Sequence, residues 1–154
     1  MSDTAATHET WMRHALALAA RAGESGEVPV GALVIVDGQV VGEGWNQPIA
    51  TSDPTAHAEI VAMRAAARHI KNYRLSGATL VVTVEPCLMC VGAMVHARIG
   101  TVVYGAPEPR AGALGSAIAA HDTPGLNHRL AVVGGVLADD CRALIQTFFK
   151  ERRA

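Results

Sequence analysis

Two short segments of the sequence contain residue types that bind metals and transfer protons. The first is His57-x-Glu59, and the second is Cys87-x-x-Cys90. Two thiolates and one imidazole supply three protein ligands for a tetrahedral zinc ion. Such a set leaves the fourth coordination position open to water, which is typical of a catalytic zinc site and not of a structural one. We therefore predict that His57, Cys87 and Cys90 bind one zinc ion and that Glu59 moves protons beside it.

Each segment taken alone has an ordinary explanation. A lone Cys-x-x-Cys is a redox pair or a chance pair about half the time, and His-x-Glu alone is nearly uninformative. A structural zinc site would need a fourth Cys or His nearby. The remaining residues of these types, which follow no matching local pattern, are Cys141, His8, His14, His69, His96, His121 and His128. We expect Cys141 in the core and His96 at the surface or at a subunit contact.

The two segments can meet around one ion only if each stands at the beginning of a helix. Cys87 and Cys90 are three residues apart, so they share one face of a helix. His57 and Glu59 are two residues apart and do not share a face of a regular helix, so they converge only at a helix end. The free N–H groups of a helix N-terminus also favour thiolate over thiol.

Hydrophobic periodicity predicts helices and strands that alternate after an initial hairpin. Asp37-Gly38 predicts a tight turn between strands at 30–36 and 39–41. The first helix is predicted over about 7–23, with a buried stripe formed by Trp11, Ala15, Leu18 and Ala22. The other predicted elements are a polar loop at 46–54, a helix at about 56–69, a strand at 78–84, a helix from Pro86 to near Gly100, a strand at 101–104, a long loop at 105–129, a strand at 130–133 and a helix at about 138–152. This order predicts an α/β fold, a three-layer α/β/α sandwich with a mixed five-stranded sheet.

Length and composition are those of a single globular domain over residues 1–154. Half of the residues are apolar, and no apolar run approaches the roughly 20 residues that a membrane span needs. The N-terminus shows no basic-then-apolar signal segment. The three cysteines are an odd count, and two of them form the Cys-x-x-Cys pair. We therefore expect a cytoplasmic protein.

Charge is distributed unevenly along the chain. Residues 1–63 contain two arginines against eight acids, whereas residues 64–154 contain eleven basic residues against six acids. Chance placement of solvated charges explains this about as well as a basic surface that meets a polyanion.

Several longer stretches carry a family resemblance that runs from about residue 8 to residue 153. They are Trp11-Met-Arg-His-Ala15, Glu27-Val-Pro-Val-Gly31, Gly42-Glu-Gly-Trp-Asn46, Asp53-Pro-Thr-Ala-His-Ala-Glu-Ile60, Asn72-Tyr-Arg-Leu75, Glu85-Pro-Cys-x-Met-Cys90, Gly115-Ser116, Asn127-His-Arg129 and Phe148-Phe149. With these stretches the chain resembles the bacterial tRNA adenosine deaminases, which convert the wobble adenosine of an anticodon to inosine. The zinc segments are common to all cytidine-deaminase-like proteins, whereas the stretches at 42–46, 127–129 and 148–149 narrow the match to the tRNA branch.

The resemblance implies a cytidine deaminase-like fold, one zinc ion per subunit and a homodimer with helices beside the zinc site at the interface. It places Val30, Asn46 and the Ala58 backbone around a flipped base. Asn46 has an alternative role as a turn residue that caps its loop. Glu85 can hold a neighbouring loop by accepting backbone N–H groups.

The resemblance also implies contacts with the tRNA anticodon stem-loop, from the long loop and from the end of the chain. A Phe pair on a helix is most often core, so one ring is expected inside while its neighbour faces RNA. The side chains expected to stack on bases, bind phosphates or contact the nucleotide backbone are Glu108, Arg110, Asn127, Arg129, Phe148, Phe149, Lys150, Arg152 and Arg153. Glu108 stands where the family more often has aspartate, which leaves its contact with the nucleotide backbone open.

Two other functions remain open at the level of sequence. A deaminase of a free base or nucleoside, such as guanine, cytosine or cytidine, would have the same zinc segments, and only the basic second half and the aromatic-basic terminus favour RNA. A catalytically silent RNA-binding subunit is the third possibility. Glu59 argues against it, because a purely structural zinc site does not need a nearby acid.

Overall fold

A mixed sheet of five strands forms the centre of the computed structural model, which describes residues 5–153. The strands are β1 (Gly31–Val36), β2 (Gln39–Trp45), β3 (Thr79–Val84), β4 (Thr101–Ala106) and β5 (Ala131–Val133). Their order across the sheet is β2-β1-β3-β4-β5, with β1 antiparallel to β2 and β3, and with β3, β4 and β5 parallel. The predicted mixed five-stranded sheet is confirmed. Residues 1–4 and 154 of the predicted domain, including the N-terminal segment, lie outside the described residues.

Helices cover both faces of the sheet, as the three-layer prediction requires. They are α1 (Ala5–Glu24), α2 (Pro48–Thr51), α3 (Ala58–Ile70), α4 (Leu88–Ala97) and α5 (Ala138–Arg153). Side chains of β1 alternate between two cores: Leu33 and Ile35 pack with α1 and α5, whereas Ala32 and Val34 pack with α3 and α4. This alternation follows from the two-residue period of a strand. None of the described helices is long and apolar enough to cross a membrane.

Several elements differ from the predictions, and the strand predicted at 39–41 continues to Trp45. The predicted polar loop contains the short helix α2, and the long loop after β4 contains a 3-10 turn at Ala120–Asp122. The helix predicted to open at Pro86 begins at Leu88 instead. The carbonyl of Pro86 accepts the N–H of Ala113 at 2.8 Å, which keeps the proline in an extended segment tied to the long loop. The predicted stripe of α1 is correct except that Met12 is fully buried while Trp11 is only partly so.

Two glycines of β2 bring α3 unusually close to the sheet. A Cβ atom at Gly44 would lie 2.6 Å from the backbone nitrogen of Ala62, and one at Gly42 would lie 2.8 Å from that of Ala66. Real Cβ atoms do not approach backbone atoms so closely, so only glycine fits. The glycines therefore set the distance between α3 and β2.

We expect Gly44→Ala to lower the free energy of unfolding by about 1–3 kcal/mol, because the added methyl group forces α3 away from β2. Urea denaturation of the metal-loaded protein measures this change. Gly23→Ala is the matched control, since its Cβ would meet only Pro29 at an ordinary 3.5 Å. Equal stability of Gly44→Ala and wild type would show that the helix does not depend on this close approach.

Candidate metal centre

The two sequence segments meet because each begins a helix on the same face of the sheet. His57 is the N-cap of α3 (φ −71, ψ 155), and Cys87 is the N-cap of α4 (φ −81, ψ 175). Neither side chain makes a capping hydrogen bond to its own helix. Both side chains are therefore available to a ligand, and the predicted placement at helix starts is confirmed. Glu59 follows in the first turn of α3, which allows it to share the site with His57.

The three proposed ligand atoms have the separations that a tetrahedral zinc ion requires. His57 Nδ1 lies 3.6 Å from Cys87 Sγ and 3.5 Å from Cys90 Sγ, and the two sulfur atoms lie 3.8 Å apart. Zinc bonds of about 2.3 Å to sulfur and about 2.1 Å to nitrogen place tetrahedral ligands about 3.8 Å apart for two sulfurs and about 3.6 Å for sulfur and nitrogen. The donor set therefore fits zinc in both chemistry and geometry.

A fourth protein ligand is not found among residues 5–153, where these three side chains form the one group of metal-binding character. Cys141 lies in the opposite core, beside Gly105, and is almost completely buried. Its predicted core position is confirmed. A three-ligand group with no fourth side chain is the arrangement of catalytic zinc sites.

Hydrogen bonding within the group already favours an anionic sulfur. The pKa of the Cys87 thiol is lowered to about 4, chiefly because of its hydrogen bond with Cys90 Sγ. The same bond raises the pKa of Cys90, and a hydrogen bond with Cys87 raises the pKa of His57. This lowered pKa favours the thiolate form of Cys87, and a cation that binds here displaces the remaining protons.

Glu59 is buried beside this group with an unsatisfied oxygen. Its side chain is 3% exposed, and Oε1 has no hydrogen-bond partner within the described part of the chain. Burial raises the pKa of this carboxyl to about 7. A carboxyl group that titrates near neutral pH can both accept and return a proton, which suits a general acid–base role.

A small cavity of about 140 Å³ opens onto these side chains. Several of the predicted site residues share it. Its lining consists of Val30, Asn46, His57, Glu59, Val84, Glu85, Cys87, Glu108 and Ala111. Val84 and Ala111 were not predicted: Val84 could have been found as the last residue of a strand that leads to the metal, whereas Ala111 carries no sequence signal.

Asn46 lies at the cavity and also makes a hydrogen bond that holds its own loop. It lines the cavity, and its Oδ1 accepts the N–H of Ala58 at 2.9 Å. The backbone N–H predicted to meet a base is therefore held by Asn46, and the side chain of Ala58 is fully buried in the core. With Oδ1 occupied, the NH₂ group is what Asn46 can offer to a ligand.

Glu85 holds the long loop, as predicted. Its Oε1 accepts the N–H of Glu108 at 3.0 Å and the hydroxyl of Ser116, and its Oε2 accepts the N–H groups of Leu114 at 3.0 Å and Ser116 at 3.1 Å. Burial by itself raises the pKa of this carboxyl, but these hydrogen bonds outweigh it and the net pKa lies below the usual range. Because both oxygens are occupied, Glu85 positions the loop and does not offer a free group to a ligand.

The predicted nucleotide contacts in the long loop are bonded to protein groups. Glu108 Oε2 accepts the N–H of Arg110 at 2.5 Å and that of Ala111 at 2.6 Å, so this carboxylate folds back on its own loop. The Arg110 residue itself is exposed. Asn127 Oδ1 accepts a hydrogen bond from Arg98, the C-cap of α4, at 3.0 Å. The axial rise of a helix, about 1.5 Å per residue, puts this end of α4 more than about 12 Å from the metal-binding end.

The aromatic pair of α5 divides as predicted, with one ring inside and one outside. Phe148 is 8% exposed and Phe149 is 42% exposed, and their rings meet edge to face at 5.4 Å. The Arg152 guanidinium lies 4.3 Å above the Phe148 ring. Arg129 donates to the carbonyl of His121 at 3.0 Å.

Comparison with known proteins gives this site a family. Residues 5–106 match the model of the cytidine and deoxycytidylate deaminase zinc-binding region. The chain is 51% identical over 146 residues to the tRNA-specific adenosine deaminase of Haemophilus influenzae, covering 94% of this chain and 84% of the relative. It is similar to a structure from studies of A-to-I editing by tRNA:A34 deaminases at the wobble position, with a TM-score of 0.85, 38% identity and coverage of 88% of this chain and 99% of that one. A guanine deaminase from Nitrosomonas europaea, at 23% identity, a TM-score of 0.74 and coverage of 91% and 83%, shares the fold alone.

We expect Cys87→Ala to remove zinc and stability together, because two ligands hold the ion far less well than three. Metal analysis should fall from one zinc per chain to near zero. At free zinc about a thousandfold above Kd, the linked loss of stability is about 4 kcal/mol.

The matched control is Cys141→Ala, which removes a buried thiol outside the group. This variant should keep one zinc ion per chain. Full zinc content in Cys87→Ala would contradict the ligand assignment.

Proposed function

The chain belongs to the zinc-dependent cytidine and deoxycytidylate deaminase family, in the branch of the tRNA-specific adenosine deaminases, and from this membership we propose how its residues divide the reaction. The enzyme converts adenosine to inosine by hydrolytic deamination at the wobble position of a tRNA anticodon. The observation that carries the assignment of residues is the tetrahedral spacing of His57, Cys87 and Cys90 beside the buried, unpaired Oε1 of Glu59.

Proton transfer in this reaction is assigned to Glu59. Zinc at such a centre makes a water molecule nucleophilic near neutral pH. As water adds to C6 of adenine, Glu59 takes one of its protons and delivers it to N1 of the ring. Glu59 then takes the remaining proton from the added hydroxyl group and passes it to the amino group. The C6–N bond breaks, the C6 carbonyl forms, and ammonia leaves with inosine as the product. The pKa of about 7 caused by burial allows the same carboxyl to act in both directions.

Recognition of the base is assigned to the cavity walls. Val30 supplies an apolar wall and Asn46 supplies an NH₂ donor for an acceptor on the base or ribose. The N–H of Ala58 orients the Asn46 side chain by donating to its Oδ1, so Ala58 acts on the base through Asn46. Glu85 holds the loop from Glu108 to Ser116 and so shapes the opposite wall.

Recognition of the RNA is assigned to the surface around the cavity. An anticodon loop is single-stranded, so turning one base into the cavity costs little. Phe149 is exposed enough to stack on a base, and Arg110 is exposed on the loop that borders the cavity. Basic side chains for phosphates follow on α5, at Lys150, Arg152 and Arg153. Glu108 and Asn127, which are bonded to protein groups, would have to exchange partners before they contact RNA.

We also propose that two copies of the chain form a homodimer through the groove between α3 and α4. This groove encloses about 370 Å³ and is mostly apolar. Tyr73, at its edge, is 70% exposed, which is unusual for a large aromatic side chain that has no partner molecule. His96, expected at the surface or at a subunit contact, lies in this groove. Its full lining is Ile60, Met63, Arg64, Ala67, Tyr73, Leu75, Ala93, His96 and Ala97.

A cytoplasmic location completes the proposal. The substrate is tRNA, which is used by ribosomes in that compartment. All three cysteines are free thiols, and free thiols are typical of reducing compartments.

Substrate specificity is tested by incubating the zinc-loaded enzyme with an anticodon stem-loop, free guanine, cytosine and cytidine. We expect inosine in the stem-loop, read as guanosine when the RNA is sequenced, and no product from the small substrates. Glu59→Ala should retain zinc and fold but lose activity by at least about 10²–10⁴-fold, because acid–base catalysis is removed.

Glu43→Ala is the control for this variant, since Glu43 is a surface acid whose ion pair with His14 contributes little. Wild-type activity in Glu59→Ala would remove Glu59 from the mechanism. Turnover of guanine or cytidine without turnover of the stem-loop would favour the free-base alternative.

The homodimer is tested with Tyr73→Glu, which places a charge in the groove without touching the core. Analytical ultracentrifugation should give twice the chain mass for wild type and the mass of one chain for the variant. Ile49→Glu is the control, since Ile49 is 75% exposed but lies outside the groove. A wild-type protein that sediments as one chain would contradict the proposal.

A further inference from the structure

Among the described residues three acidic side chains are buried, and the reaction outlined above uses only two of them. Glu59 and Glu85 have roles at the cavity, whereas Glu27, which is 3% exposed, has none so far. Its carboxylate accepts the N–H of Ala50 at 2.8 Å and that of Ile49 at 3.3 Å. A buried carboxylate is costly unless hydrogen bonds compensate for lost water, so this placement needs a reason.

These bonds cap α2, which has no cap of its own. Gln47 occupies the N-cap position with φ −140 and ψ 25, and its side chain makes no capping hydrogen bond. The first N–H groups of a helix have no partner within the helix, and a carboxylate also interacts favourably with their dipole. A serine or aspartate at position 47 would have supplied a local cap. The chain instead uses Glu27, which is distant in sequence, and so ties α2 to the segment that precedes β1.

The capped helix belongs to a loop whose two ends both lie at the metal centre. Asn46 stands at one end of this loop and His57 at the other. The ends are joined by the N–H of Gln47, which donates to the carbonyl of Ala56 at 2.9 Å, and by the Ala58 N–H bound to Asn46. Since Asn46 precedes α2 by a single residue, a shift of α2 displaces its side chain first.

The segment that contains Glu27 also reaches the cavity. Val30 lines the cavity three residues after Glu27, and its carbonyl accepts the N–H of Asn46 at 3.2 Å. Two connections therefore join the same pair of segments: a backbone bond at the cavity wall, and the Glu27 carboxylate behind it. Together they fix the distance between the Val30 wall and the Asn46 wall.

We propose that Glu27 is a positioning residue for the deamination of the RNA substrate, acting through α2 on Asn46. Glu27 does not touch the metal ligands or the reacting atoms. This inference rests on the function proposed above. It predicts that loss of the hydrogen bonds between Glu27 and α2 impairs substrate binding more than the chemical step. Asn46, which meets the base or ribose, would shift, whereas Glu59 and the metal ligands would stay in place.

The test compares Glu27→Gln with Glu24→Gln. The glutamine keeps the size of Glu27 but places an NH₂ group against one of the two backbone N–H donors of α2. Glu24 is the control because it is exposed and lies three residues before Glu27. For the anticodon stem-loop we expect Glu27→Gln to raise KM about tenfold and to change kcat less than about threefold, with one zinc ion per chain. Glu24→Gln should behave as wild type. Glu27→Asp, which keeps the charge but is too short to reach α2, should repeat the effect.

A double-mutant cycle separates positioning from general destabilisation. In an Asn46→Ala background, Glu27→Gln should change KM less than about twofold, because the side chain through which it acts is already gone. The same tenfold factor in both backgrounds, or a lower melting temperature with an unchanged KM, would overturn the inference.

NMR tests the positioning role of Glu27 without an activity assay, so its result does not depend on whether the proposed function is correct. In NMR spectra of the full-length zinc protein, Glu27→Gln should shift the side-chain NH₂ signals of Asn46 and speed amide exchange at Ile49 and Ala50. Unchanged Asn46 signals would overturn the positioning role even if the enzyme is active. Shifted signals in a protein that does not act on the stem-loop would support the positioning role while refuting the RNA substrate.

Discussion

The contact between two helix beginnings is the interaction on which the rest of this structure depends. Three ligand atoms at the starts of α3 and α4 lie within 3.8 Å of one another, and the hydrogen bond with Cys90 lowers the pKa of the Cys87 thiol. The surrounding fold must hold the starts of α3 and α4 in place for these three side chains to stay together. The glycines of β2 set the position of α3, and the bond between Pro86 and Ala113 fixes the approach to α4.

Buried carboxylates hold the irregular parts of the cavity wall where no regular element can. Glu85 gathers N–H groups from the loop after β4, and Glu27 gathers those of α2 in the loop after β2. Each replaces the hydrogen bonds that a strand or a longer helix would have provided. Two segments that border the cavity are thus positioned by the same device, a buried acid that accepts backbone N–H groups.

The parts of the fold and site that follow from local pattern could be predicted from the sequence. The Asp37-Gly38 turn identifies the hairpin that contains β1, and a continuous apolar, β-branched run identifies β3. The spacing of His57 and Glu59 requires a helix end, which is where they lie. Long-range hydrogen bonds leave no such pattern. The cap that Glu27 gives to α2 and the bond between Arg98 and Asn127 join residues far apart in the chain, so neither could be inferred from spacing.

The end of α5 lies close to the segment that leads to the cavity. A Cβ atom at Gly26 would lie 3.7 Å from Arg152 Nη2, so the end of α5 packs against the segment that contains Glu27 and continues to Val30. Within one stretch of five residues, Gly26 lies beside the end of α5, Glu27 caps α2 and Val30 lines the cavity. The proposed phosphate contact Arg152 and the cavity wall at Val30 are thus joined by one short segment of chain.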